Sequence, residues 1–123
     1  MSAAMRFCGS VLALACLGAV ATANAQPSAE RGKAKFDHSC APCHGKGVGN
    51  EGHAQLPGTE ALKIKYKGTI PAALEDRSDL TADTIRAFVR SGTFSMPPFR
   101  PTELSNAEIG DIAAYLAVTS KKK

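Results

Sequence analysis

Five consecutive residues, Cys40-Ala41-Pro42-Cys43-His44, concentrate the reactive chemistry of this 123-residue chain. Two thiols separated by two residues can each reach a vinyl group on one edge of a porphyrin and form a thioether. The imidazole that follows then projects beneath the ring, close to the iron. A histidine directly after the second cysteine is the pattern of c-type haem attachment. The same residues have rival uses. A zinc site needs four protein ligands, and after Cys40, Cys43 and His44 the fourth would be His38, His53 or a carboxylate. A dithiol redox motif opens a helix beside a strand, whereas this motif follows a helical pattern. A Cys40–Cys43 disulfide would staple almost nothing. One covalent haem c is the expectation.

A second iron ligand is sought elsewhere. Met96 stands in Ser95-Met96-Pro97-Pro98-Phe99, an irregular stretch stiffened by two prolines. A thioether is a soft ligand suited to ferrous iron, and His/Met coordination raises a haem's reduction potential. A methionine also fills gaps in cores, but its place between two helical patterns favours ligation. His38 lies two residues before Cys40, on the wrong side of the attachment to swing over the ring, and His53 reads as a solvated loop histidine. Iron saturated by His44 and Met96 suits outer-sphere electron transfer. A vacant position would suit a haem sensor or peroxidase, the competing reading from a different functional class.

Residues 1–25 differ in character from the rest. Arg6 precedes an apolar run over 11–20, and Ala23-Asn24-Ala25 ends it with small residues, the signature of a secretory signal cleaved after Ala25. A retained membrane helix over 7–23 is marginally long enough, and lipidation of Cys16 is a further alternative. Cleavage leaves a single domain over 26–123, exported to the periplasm and without stable membrane insertion. It removes Cys8, Cys16, Met1 and Met5, so Cys40 and Cys43 become the only cysteines and Met96 the only methionine. Loss of Arg6 lowers the formal charge from +4 to +3, an excess equal to Lys121-Lys122-Lys123. The folded body is thus near neutral and gives no case for nucleic acid. So short a chain buries a small core and needs a staple; an apolar cofactor supplies one.

The elements that must position these residues are mostly helical. Ser28 caps a helix over 29–39 with Gly32 and Phe36 on one face. Residues 41–58 read as a long glycine-rich loop. Leu62, Ile64 and Tyr66 alternate with Lys63, Lys65 and Lys67, a strand period, which would turn the three lysines to one solvated face. Pro71 opens a short helical turn through Leu74. Thr81 caps a helix ended by Ser91-Gly92. Ser105 caps the last, with Glu108 completing a capping box and Leu104 and Ile109 a hydrophobic staple. Ile109, Ile112, Ala113 and Leu116 form its buried stripe.

In this order of elements the mature chain, residues 26–123, resembles the class I cytochromes c almost from end to end. The resemblance implies an all-α fold whose N- and C-terminal helices cross at Gly32, Phe36 and Tyr115, with haem enclosed by loops. It also implies an electron-transfer protein rather than an enzyme. The family uses a proline carbonyl to orient the proximal histidine, and Pro57 is the candidate. A narrower resemblance rests on Leu56-Pro57-Gly58-Thr59, Lys63-Ile64-Lys65-Tyr66 and Ser95-Met96-Pro97-Pro98-Phe99-Arg100. These are similar to cytochrome subunits of flavocytochromes that oxidise 4-alkylphenols, of the p-cresol methylhydroxylase and eugenol hydroxylase type. That implies a flavoprotein donor; the alternative is a general carrier to a respiratory oxidase. Around the haem edge Ala41, Pro42, Pro97, Pro98 and Phe99 would form an apolar rim.

Overall fold

Two helices from opposite ends of the chain meet at a single close crossing. The computed structural model describes residues 26–121, so the expected signal segment lies outside the described residues. Helix α1 (Ala29–Ser39) starts where the Ser28 hydroxyl accepts from the Arg31 amide, and α5 (Asn106–Ser120) starts in the expected capping box of Ser105 and Glu108. A Cβ on Gly32 would overlap the Asp111 carbonyl of α5. Glycine there lets the two backbones approach, and its usual cost in a helix is offset by that packing. One turn on, the Phe36 and Tyr115 rings stack at a 5.4 Å centroid separation, tilted by 51°. Ile109, Ile112 and Leu116 complete the core from α5, and Ala113 stays half-buried.

Charges clamp the seam. The Arg31 guanidinium grips the buried Asp111 carboxylate through Nε and Nη2, both at 2.9 Å, and the Ser28 amide donates to the same carboxylate at 2.6 Å. The Arg31 bond is the main reason Asp111 titrates below the usual carboxylate range. Further along, Lys35 pairs with Glu108 at 2.9 Å, and chiefly that contact holds Glu108 down to about 2.

Three elements stand around this pair. Helix α2 (Ala41–His44) is a single turn that continues from the end of α1. Helix α4 (Ala82–Ser91) has Thr81 as its cap and Gly92, at φ 67°, as its stop, and it packs Val89 and Ile85 on the core. A 3₁₀ turn at Leu74–Asp76, three residues beyond the expected one, brings Glu75 to accept from the Tyr115 hydroxyl at 2.7 Å.

Helix α3 (Pro57–Tyr66) corrects the expected strand. An isolated strand would leave its amides and carbonyls unpaired, and among the described residues there is only an isolated bridge between Thr93 and Met96. Glu60, Ala61, Leu62, Lys63 and Lys65 are good helix formers, and Pro57 fits the first helical position. The lysines therefore do not share one face. The expected loop over 41–58 likewise holds α2 and the start of α3, leaving irregular chain between Gly45 and Leu56.

Candidate haem centre

The attachment motif is carried by one helical turn. The amides of Cys43 and His44 both donate to the Cys40 carbonyl, at 3.1 and 2.8 Å, so the two cysteines and the histidine are fixed relative to one another by backbone alone. Both thiols are free. Cys43 is exposed; Cys40 is half-buried against the core, and burial pushes its thiol up to about 11. The short α2 turns one sulfur toward the protein interior and leaves the other at its surface.

His44 is wedged from one side. A Cβ on Gly58, the second residue of α3, would lie 2.7 Å from the imidazole Cε1 and 2.8 Å from Nδ1. Only a residue without a side chain lets α3 press this closely. The Thr59 hydroxyl beside it donates to the Gly45 carbonyl at 3.0 Å, pinning α3 to the end of the motif. Nδ1 of His44 is buried without a hydrogen-bond partner. The carbonyl of Pro57, expected to orient the ring, does not meet it, and the ring is oriented instead by contact with Gly58. Burial lowers the His44 pKa, which favours the neutral imidazole, the form that binds metal.

Met96 closes a tight turn. Thr93 and Met96 exchange both backbone hydrogen bonds, at 3.0 and 2.9 Å, around Phe94 and Ser95. Phe94 takes the left-handed conformation, φ 50°, and its ring is fully exposed. Met96 is half-buried and packs against the core, as does Phe99. Arg90 is a residue that sequence reasoning missed. From the last turn of α4 its guanidinium donates to the carbonyls of Phe99 at 3.0 Å and Leu104 at 2.8 Å and to the Asn106 side chain at 3.0 Å. It thereby ties the end of the Met96 loop to the start of α5. A basic residue in the last turn of a helix, just before a proline-rich loop of free carbonyls, was the available signal.

The other candidate ligands are occupied differently. His53 accepts or donates at 2.8 Å with Glu60, and His38 lies exposed on the last turn of α1, beside the groove of Lys35, Glu108 and Asp111. No group of three or more His, Cys, Asp or Glu that could hold a metal ion occurs among the described residues, so the four-ligand zinc arrangement is not assembled. Of the expected apolar rim, Pro42, Pro97 and Pro98 are exposed, whereas Ala41 and Phe99 turn toward the core. Two free thiols on one turn, a neutral wedged imidazole and a glycine cradle are what a covalent haem requires. The donor set fits.

No helix of the described residues is long and apolar enough to cross a membrane. No curated protein matches the chain. The crystal structure of cytochrome c6 from the diatom Phaeodactylum tricornutum is similar at 25% identity, with a TM-score of 0.46, over 77% of this chain and 97% of that one. The family model of the cytochrome c oxidase cbb3-type subunit III matches residues 27–116. With that match over most of its length and an all-α fold around a haem-attachment turn, the chain belongs to this family of cytochromes c, and its cofactor is covalent haem c.

Proposed function

We propose that this electron carrier attaches its haem through Cys40 and Cys43 and holds the iron between His44 and Met96. The observation that carries the reading is the rigid one-turn presentation of Cys40, Cys43 and His44, with Gly58 against the imidazole. Each cysteine would attach by adding its S–H across a vinyl group, the sulfur bonding one carbon and the hydrogen the other, with no net oxidation. When bound, the haem supplies a one-electron ferric/ferrous couple. The chain's part is to keep ligand geometry constant between the two states. Gly58 and Thr59 fix the proximal side, while the Thr93–Met96 turn and Arg90 fix the thioether side.

A visible spectrum tests the ligand set. The ferric protein should be low-spin with a weak sulfur-to-iron charge-transfer band; a high-spin spectrum would support the sensor or peroxidase alternative. Haem-linked peroxidase staining on a denaturing gel should be positive and should vanish in C40A/C43A.

For the partner, the reading is a flavoprotein that removes a hydride from a 4-alkylphenol and passes the two electrons singly to this haem. It is supported by the similarity of the Leu56–Thr59, Lys63–Tyr66 and Ser95–Arg100 segments to such cytochrome subunits. A second reading, delivery to a respiratory oxidase, is favoured by the description of the matching family. Identifying what copurifies with the native protein separates them: a flavoprotein that reduces this cytochrome on addition of a 4-alkylphenol supports the first, a haem-copper oxidase the second. Export to the periplasm follows from the signal character of residues 1–25, and N-terminal sequencing of the mature protein should begin at Gln26.

A further inference from the structure

Helix α3 presents an apolar stripe to solvent. Gly58 and Thr59 turn toward α2. Ile64 lies about 120° round the helix from Gly58, since each residue advances about 100°. Ile64 therefore faces away from the side of α3 that holds the His44 ring, and it is 70% exposed. Pro57, Ala61 and Ile64, at positions i, i+4 and i+7, line a groove of about 390 Å³ with Asn50, His53 and Gln55. The one carboxylate on this face, Glu60, is engaged by His53.

The charge around the stripe is unusual for this molecule. Among the described residues, every arginine except Arg90 and every lysine before α3 sits in an ion pair with a carboxylate. Arg90 is satisfied by three oxygens. Lys63, Lys65 and Lys67 are in no ion pair; Lys63 and Lys65 lie about 100° to either side of Ile64, Lys65 over the Tyr66 ring at 5.4 Å, and Lys67 follows as the C-cap of α3. Apart from Lys121 in the tail, the cationic side chains of the described residues without such a partner are therefore gathered on α3 and its C-cap, around an exposed isoleucine. An apolar centre with a cationic rim is complementary to an apolar patch ringed by carboxylates.

We propose that this face of α3 is the docking site for an acidic protein surface, that of the partner exchanging electrons with the haem; only the partner's role rests on the carrier reading above. Because α3 packs on the attachment turn, a partner seated on its outer face is separated from the haem-bearing segment by the width of one helix, about 10 Å. The charges set the encounter rate and its salt dependence, and the stripe sets how long the complex lasts.

The test uses the intact haem protein and, as probe, a flavodoxin, an acidic flavin protein reduced to its hydroquinone. In the reaction one electron leaves the flavin and one ferric haem becomes ferrous. Stopped-flow rates should fall about tenfold between low and physiological salt. K63Q/K65Q/K67Q should lower the low-salt rate about fivefold or more and Ile64→Ser severalfold, with spectrum and midpoint potential unchanged. K121Q/K122Q/K123Q, a control for charge outside α3, should change it less than twofold. Amide shifts of the ¹⁵N-labelled ferrous protein on adding flavodoxin should centre on 57–68. Shifts centred elsewhere, or an equal loss from the tail variant, would overturn the proposal. Concentration-dependent shifts in 57–68 without flavodoxin would overturn it in favour of a second copy. Binding to phosphatidylglycerol vesicles that depends on the three lysines, with the flavodoxin rate untouched, would overturn it in favour of a membrane surface. Shifts on α3 without electron transfer would leave the docking face standing and sink the carrier reading.

Discussion

A methyl group at position 58 would lie 2.7–2.8 Å from the His44 ring and the Cys43 carbonyl. Gly58→Ala should therefore force α3 away from the attachment turn and cost about 1–3 kcal/mol, the usual penalty of overpacking. Denaturant unfolding of the ferric protein measures it, and unchanged stability would show that α3 does not press on the ring. Met96→Ala should leave haem content intact, abolish the sulfur-to-iron band and lower the midpoint potential, because the thioether favours ferrous iron. A parental spectrum in that variant would hand the sixth position to another residue. Cys40, Cys43, His44 and Met96 were all legible as candidates from residue type and spacing. Gly58 was not, since nothing in Leu56-Pro57-Gly58-Thr59 says what the glycine will touch.

Among the elements, those whose signals are local were legible. Helices α1, α4 and α5 carry their own caps and stripes, at Ser28, Thr81 and Ser105. The α3 segment misled because Leu62, Ile64 and Tyr66 alternate with lysines over too few residues to distinguish periods of two and 3.6. Its buried face consists of Thr59, whose role is a hydrogen bond to the chain before it. The Met96 loop is held by Arg90, so Arg90→Ala should cost about 2 kcal/mol in stability, removing charged hydrogen bonds to Phe99 and Leu104. It should also make the charge-transfer band fade at a lower temperature than the global unfolding signal; coincident loss of both would refute a local role. At the α1–α5 seam the sign with pH is fixed by Glu108. Its ordinary value is 4.5 and its folded value about 2, so its stabilisation is complete above about 4.5 and is lost as pH falls toward 2. Glu108→Gln should flatten that part of the acid-unfolding curve, and an unchanged curve would assign acid sensitivity to other carboxylates.

For the molecule as a whole, the seam between α1 and α5 forms one body, and α3 leans on the rest through α2, through the buried Thr59 hydroxyl and through Tyr66, whose ring lies 5.2 Å from the buried Arg77 guanidinium. Without haem, α3 should be the first helix to open. In C40A/C43A, hydrogen exchange should show lost protection over 57–66 while amides of 109–116 keep most of theirs; uniform loss would mean that haem organises the entire fold. The attachment motif and the terminal helices can be read along the chain, because thiol spacing, caps and amphipathic stripes are encoded within a few residues of where they act. It took the folded arrangement to show that 57–66 is a helix, that Gly58 rather than a Pro57 carbonyl meets His44, that Arg90 secures the Met96 loop, and that three lysines near an exposed Ile64 remain without ion pairs. Each of these depends on which distant groups come within contact distance, and chain closure, not local pattern, sets those distances.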